Sequence, residues 1–340
     1  MIHAPYRRRF LAAVLAATWR PGFAQGTRTV PRVGLMLNTI AVADLGNPDK
    51  AGPAPKIIED GLRALGWIPG RNIELVWKSV DGRFERWPQV VDEFVRLPVD
   101  VLVVFSDNAA LVALQRTQSI PIVMLTVGAA VRDGVVRSLG RPGTNLTGFS
   151  FEQPPQLNGK RLALLKQAAP SISSVAFLAE LPDEMKAHPG FSAETQAAAR
   201  ALGVALIGVG FKSEDQIEPA FADAVGKGAN AVVVPYGIRL YKVDVQQRIH
   251  ALAIRHRMPV MHYVPRNADS GGLMAYGFDD LDIYRRLPYF IDRILRGAKP
   301  SDLPIEQPTR FVLVINQRAA KAIGLAIPRS LLAQADRVIE

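Results

Sequence analysis

An order of strands and helices that occurs twice is the feature that most narrows what this chain can fold into. In the first half, apolar runs bounded by turn residues alternate with segments of helical period, the pattern of a parallel sheet covered on both faces. Residues 32–37 (RVGLML) read as a buried first strand. Residues 56–65 place Ile57, Ile58, Leu62 and Leu65 at helical spacing, and Gly66 is the expected stop. A strand over 73–77, a helix over 87–97, a strand over 99–105, a helix over 109–117 and a strand over 120–127 follow. The order then returns after roughly 130–140 residues, the mark of a structural repeat. Residues 174–179 answer the first strand, 230–235 the third and 258–263 the fourth. The helix over 194–202 ends Ala201-Leu202-Gly203, as its counterpart ends Ala64-Leu65-Gly66.

The repeat predicts two Rossmann-like α/β lobes, and 340 residues suit two domains of about 150 each. A third block follows: a glycine-flanked strand over 271–277, a helix over 281–296, a strand over 311–316 and a helix over 317–324. Pro288 should kink or restart the first of these helices. These extra pieces suggest that the chain returns to the first lobe and finishes on the second.

Residues 1–24 read as a secretory signal. Arg7-Arg8-Arg9 form the positive region, residues 10–17 the apolar stretch, and Gly22-Phe23-Ala24 the small residues before a cleavage site. Tyr6 to Leu11 also resembles a twin-arginine export signal. The expected location is therefore periplasmic. No segment reaches the roughly 20 apolar residues of a membrane span, so no insertion is expected once the signal is removed. The net charge of +10 shrinks on the same grounds: without Arg7, Arg8, Arg9 and Arg20, 37 basic residues face 31 acidic ones, in no dense run. Nucleic acid is not an expected partner. Cysteine is absent, which removes disulfides, thiol catalysis and a lipoprotein anchor.

Several stretches resemble one family. They are Ile120-Pro121-Ile122-Val123, the run Arg141-Pro142-Gly143-Thr144-Asn145-Leu146-Thr147-Gly148-Phe149-Ser150, Gly159-Lys160-Arg161-Leu162 and Gly272 to Gly277. Residues 294–300, 303–309, 315–316, 324–325 and 331–333 continue the match, so that it spans about 32–340. The chain resembles the periplasmic substrate-binding components of ABC transporters of the TrpX type. The resemblance implies a type I periplasmic-binding fold with three crossovers, near 147–150, 275–277 and 306–309, and hinge closure on a ligand. Lobe 1 would comprise 30–148 with 277–305, and lobe 2 149–276 with 306–340. It also implies a small-molecule ligand, an amino acid by analogy, and an inner-membrane ABC permease with its ATPase as partner. Two positions depart from the pattern: Ala129-Ala130 stands where relatives carry Asp-Pro, and Glu180-Leu181-Pro182 where they carry Asn-Pro.

Ligands of open α/β sheets bind beyond the carboxyl ends of the strands. That rule selects Asn38 and Thr39 after the first strand, Ser106, Asp107 and Asn108 after the third, and Thr126, Val127 and Gly128 at the fourth. From the second lobe it selects Phe151, Glu152, Glu180, Tyr236 and Tyr263. Ser106-Asp107-Asn108 can cap a helix whose free N–H groups would receive a carboxylate, whereas Asp107 suits an amino group. Phe151, Tyr236 and Tyr263 can stack on a flat ligand or fill a core.

Catalytic chemistry finds little support. His3, His188, His250, His256 and His262 show no zincin spacing, and His250 and His256 read as part of a solvated helix face. Asp279-Asp280-Leu281-Asp282 precedes a helix, where acids stabilise the N-terminus rather than bind a metal. No G-x-G-x-x-G or G-x-S-x-G motif occurs, and 143–148 lacks the Lys-Ser/Thr of a phosphate loop. No enzyme activity, cofactor or metal is expected. The leading expectation is a transport receptor. The alternative is a ligand sensor docking to a chemoreceptor or sensor kinase. A transcription regulator of the same lobe architecture would need a DNA-binding helix-turn-helix ahead of the first strand, where a signal stands instead.

Overall fold

The computed structural model describes residues 30–126, 130–131, 134–151, 155–180 and 189–340. The signal segment, Val127, Gly128, Ala129, Glu152, Leu181 and Pro182 lie outside the described residues.

The first sheet holds β1 (Arg32–Leu37), β2 (Glu74–Ser79), β3 (Val101–Val104), β4 (Ile122–Thr126) and β5 (Leu146–Ser150). Their order is β2-β1-β3-β4-β5 and every pair is parallel. Helices α1 (Pro48–Ala51), α2 (Ala54–Ala64), α3 (Trp87–Arg96) and α4 (Asp107–Arg116) lie between these strands in the chain.

The second half supplies α5 (Pro155–Ala168), β6 (Ser174–Glu180), α6 (Ala193–Ala201), β7 (Ala205–Phe211), α7 (Ile217–Gly226), β8 (Ala231–Val234) and α8 (Val243–Arg255). There follow β9 (Val260–His262), α9 (Arg266–Asp269), β10 (Met274–Phe278), α10 (Asp280–Leu295), β11 (Phe311–Asn316), α11 (Gln317–Ala322), α12 (Arg329–Leu332) and β12 (Arg337–Ile339). The second sheet has the order β12-β11-β10-β9-β8-β6-β7 and is parallel except where β10 meets β11.

Alternation along the buried strands explains the layers. Val101 and Val103 join Ile58 and Leu62 of α2 and Ile283, Leu287 and Ile291 of α10 in one core. Leu102 and Val104 point the other way, to Val90 and Phe94 of α3 and Ala109 and Ala113 of α4. The second sheet is clothed in the same manner: Val175 and Phe177 face α5 and α6, while Ala176 and Leu178 face α7 and α8. Successive strand side chains point to opposite faces, so a sheet covered on both sides needs unbroken apolar runs.

The expectation of two α/β lobes joined by three crossovers holds. The chain leaves the first sheet after Ser150, returns after Phe278 so that α10 packs on α2, and leaves again before Phe311. The first and third passages lie side by side: Ser150 N–H donates to the Glu306 carbonyl at 3.1 Å, and Glu306 N–H to the Gly148 carbonyl at 2.9 Å. Arg286 of α10 clamps the Glu306 carboxylate through Nε and Nη2.

Three expectations are corrected. Residues 146–150, read only as a crossover, form a full strand of the first sheet before they cross. Pro288 does not restart its helix, which runs unbroken from Asp280 to Leu295. Its ring lies against Gly61 of α2, where a Cβ would stand only 2.6 Å from Pro288 Cγ. His250 is not on a solvated face; it is buried in α8 against His262. Among the described residues no helix is long and apolar enough to cross a membrane.

Candidate functional site

A cavity of about 380 Å³ lies between the lobes at the carboxyl ends of the strands. Pockets of this kind range over about 300–1,000 Å³ and favour domain interfaces. The first lobe contributes the segment Leu37–Ile40, Pro55 and Ile58 of α2, Trp77 of β2, and Phe105 to Asn108. Tyr236, Gly237, Ile238 and Tyr241 enter from the loop after β8, and Phe278, Asp280, Ile283 and Tyr284 from the return passage. Six aromatic side chains, Trp77, Phe105, Tyr236, Tyr241, Phe278 and Tyr284, stand among its lining residues.

Six of the residues singled out from sequence line this cavity: Asn38, Thr39, Ser106, Asp107, Asn108 and Tyr236. Asn38 is a strut as well as a wall. Its Nδ2 donates to the Phe105 carbonyl at 3.1 Å and its Oδ1 accepts from Trp87 Nε1 at 3.1 Å. Ser106 N-caps α4, its Oγ accepting from Ala109 N–H at 3.2 Å, as its residue type favours.

Four others sit elsewhere. Thr126 is buried at the end of β4, with its Oγ1 3.5 Å from the Phe149 carbonyl. Phe151 is packed between Phe278 and Phe311 at 4.7 and 5.6 Å. Tyr263 lies beneath the Arg161 guanidinium, 3.5 Å from the ring centroid, and its hydroxyl donates to Asn158 Oδ1 at 2.6 Å. Strand alternation turns Tyr263 toward the α5 side, because it continues the face of Met261. Glu180 accepts from Leu240 N–H at 2.8 Å and so holds the loop that carries Tyr236. Burial pushes its carboxyl up from the usual range.

Sequence reasoning missed the return passage. The acidic run at the start of α10 divides by position. Asp279 caps the helix, its Oδ1 accepting from Leu281 N–H at 3.0 Å. Asp282 is exposed beside Arg285. Asp280 is 3 % exposed and turned inward, its Oδ2 accepting from Arg266 Nε at 2.8 Å. Asp280, Ile283 and Tyr284 share one helical face by their i, i+3, i+4 spacing, a signal the sequence did contain. What it lacked was any hint that this face meets the loop after β8.

Electrostatically, buried phenols surround one buried carboxylate. Burial and then the Asp280 charge push Tyr241 well above its ordinary value and Tyr284 up to about 12. Tyr236 is raised as well, by burial first. The three phenols are therefore neutral hydrogen-bonding groups at any working pH. Tyr236 stacks on Phe278 at 5.3 Å, and the Arg266 guanidinium lies 5.2 Å from the Tyr241 ring centroid.

Comparison with known proteins places this arrangement. A family of ABC transporter substrate-binding proteins matches residues 40–339. A tyrosine-binding protein of Clostridioides difficile (strain R20291) is 23 % identical over 290 residues, covering 84 % of this chain and 81 % of that protein. A conserved domain protein from Vibrio cholerae superposes with a TM-score of 0.76 at 23 % identity, covering 92 % of this chain and all of the other. An ABC domain from Streptococcus pneumoniae in complex with L-Trp gives 0.75 at 21 % identity, covering 91 % and 100 %. These two likenesses show the fold. The family match over nearly the whole described chain shows more: the protein belongs to the ABC transporter substrate-binding proteins.

Proposed function

We propose that this chain captures an amino acid with an aromatic side chain between its lobes, as the solute-binding component of an ABC import system. The aromatic-walled cavity at the lobe interface carries the reading. Trp77, Phe105, Tyr236, Tyr241 and Tyr284 offer flat apolar surface, and buried aromatic pairs add attraction beyond area burial. The N-terminus of α4 would receive the carboxylate, aided by the helix dipole. The relatives that bind tyrosine and tryptophan support the same class. The signal segment at 1–24 would deliver the protein to the periplasm, where an inner-membrane permease with its ATPase would take the ligand.

The test is thermal unfolding of the processed protein against amino acids, organic acids, sugars and purines. A true ligand at 100 times its dissociation constant adds about 2.7 kcal/mol of stability. Tyrosine, tryptophan or phenylalanine should raise the midpoint, and Ser106→Ala and Tyr236→Ala should each weaken binding while leaving the protein folded. A shift produced only by sugars or purines would remove the amino-acid reading.

A further inference from the structure

Asp280 carries more than a helix end requires. Asp279 already caps α10, and Asp282 already supplies acid to the first turn in solvent. Asp280 is instead withdrawn from water among Tyr236, Tyr241 and Tyr284, as part of the same cavity wall. Only one of its oxygens is used: Oδ2 accepts from Arg266 Nε, while Oδ1 is buried without a hydrogen-bond partner. The Tyr236 ring lines the same cavity, while its own hydroxyl is turned away over Gly277. Buried polar atoms are almost always satisfied, so an orphaned carboxylate oxygen in the cavity wall points to a missing partner. That partner must donate, because a carboxylate oxygen only accepts. The surrounding rings add a preference for positive charge, since an aromatic face attracts a cation.

We propose that Asp280 seats a protonated amine of the ligand, with Tyr236, Tyr241 and Tyr284 around it. The ligand class is then a primary amine bearing a flat apolar group, and acids that lack the amine are refused. Arg266 keeps the carboxylate in place, and the ligand ammonium occupies its second oxygen. An acid without the amine would leave Oδ1 unsatisfied and bring a second negative charge into the same closed space. This assignment rests on the amino-acid reading above, yet it can fail separately from it.

The experiment is calorimetric titration of the processed protein with three probes: L-tyrosine, tyramine (amine without carboxylate) and 3-(4-hydroxyphenyl)propionate (carboxylate without amine). Tyrosine and tyramine should both bind, and the propionate should bind roughly 30-fold or more weakly than tyrosine, the loss expected for one charge-assisted hydrogen bond. Asp280→Asn keeps the shape but removes the charge. In that variant the preference for tyrosine over the propionate should collapse, a ratio that partial unfolding cannot imitate. Tyramine binding without any amino-acid binding would keep the amine seat and sink the amino-acid reading. Propionate binding as tight as tyrosine binding would overturn the seat while leaving the amino-acid reading intact. Failure of every amine to bind, or unchanged discrimination in Asp280→Asn, also overturns the seat.

Discussion

The guanidinium of Arg239 lies over the ring of Phe84, 4.7 Å from its centroid, and this contact bridges the two lobes. Phe84 belongs to the turn before α3 on the first lobe, where it stacks on Trp87 at 5.0 Å. Arg239 belongs to the loop after β8 on the second lobe, and its Nη1 stands 3.8 Å from the Glu180 carboxylate. Its neighbour Ile238 packs on the apolar core beneath α3 and α4. One short loop therefore both walls the cavity and fastens the lobes over it.

Loss of this contact should speed ligand release more than it slows capture. A cation over an aromatic face is worth about 0.5–2 kcal/mol according to its desolvation. Arg239→Ala or Phe84→Ala should therefore raise the dissociation rate by roughly 2- to 30-fold, read by stopped-flow fluorescence. Equal changes in both variants and no further loss in the double variant would assign the effect to the pair. An unchanged rate in both would show that this pair does not limit ligand release.

Acid should destabilise the fold through the histidine pair. His250 and His262 meet Nε2 to Nε2 at 3.2 Å, so both are neutral, one donating and one accepting. Burial lowers His250 to about 4 and pushes His262 well below its ordinary value, with the His250 charge adding to the second. The unfolded chain takes up protons below about pH 6.5 while the folded chain refuses them. The stability is thus fully present above pH 6.5 and falls as pH drops toward 4, by about 3 kcal/mol from His250 alone. Urea melts at pH 7.5, 6 and 5 should show this slope, and His250→Gln should flatten it.

Gly277→Ala should be poorly tolerated. A Cβ there would stand 1.9 Å from the Tyr263 carbonyl oxygen and 3.0 Å from the Tyr236 hydroxyl. The backbone cannot yield as a flexible side chain would, so β10 would have to shift off β9. Overpacking of this kind costs about 1–3 kcal/mol or more, which a lowered urea midpoint would register.

Gly61→Ala sets two effects against each other. Alanine favours an exposed helix over glycine by about 1 kcal/mol. Here the added methyl would meet the Pro288 ring, which forms the contact between α2 and α10. Overpacking should win, leaving a net loss of about 1–2 kcal/mol. A stabilised protein in chemical denaturation would mean that α10 can slide.

Much of the fold was legible. The cores of β1, β3, β4, β6 and β8 appear in the sequence as apolar runs, because a strand buried on both faces favours apolar residues at successive positions. The paired endings Ala64-Leu65-Gly66 and Ala201-Leu202-Gly203 mark helix stops in both lobes, with Gly66 and Gly203 at φ of 89° and 65°. The strand β7 was harder to see, since its glycines and half-buried edge position dilute the apolar signal.

The cavity was legible only in part. Ser106, Asn38 and Tyr236 follow from the rule that ligands lie beyond strand ends, which needs nothing but the order of elements. Tyr263 and Phe151 obey the same rule and yet point into the cores, because facing depends on register within the sheet. Asp280 and Asp279 are adjacent acids at one helix start, set apart in sequence only by the face that Asp280 shares with Ile283 and Tyr284. Their separate fates were set when α10 returned to the first lobe and brought Arg266 and the tyrosines of the loop after β8 around one of them. The sequence by itself determined the two lobes, through hydrophobic periodicity that acts over a few residues. Only the tertiary structure decided which polar groups meet between the lobes, because those contacts join segments far apart in the chain whose pairing no local pattern encodes.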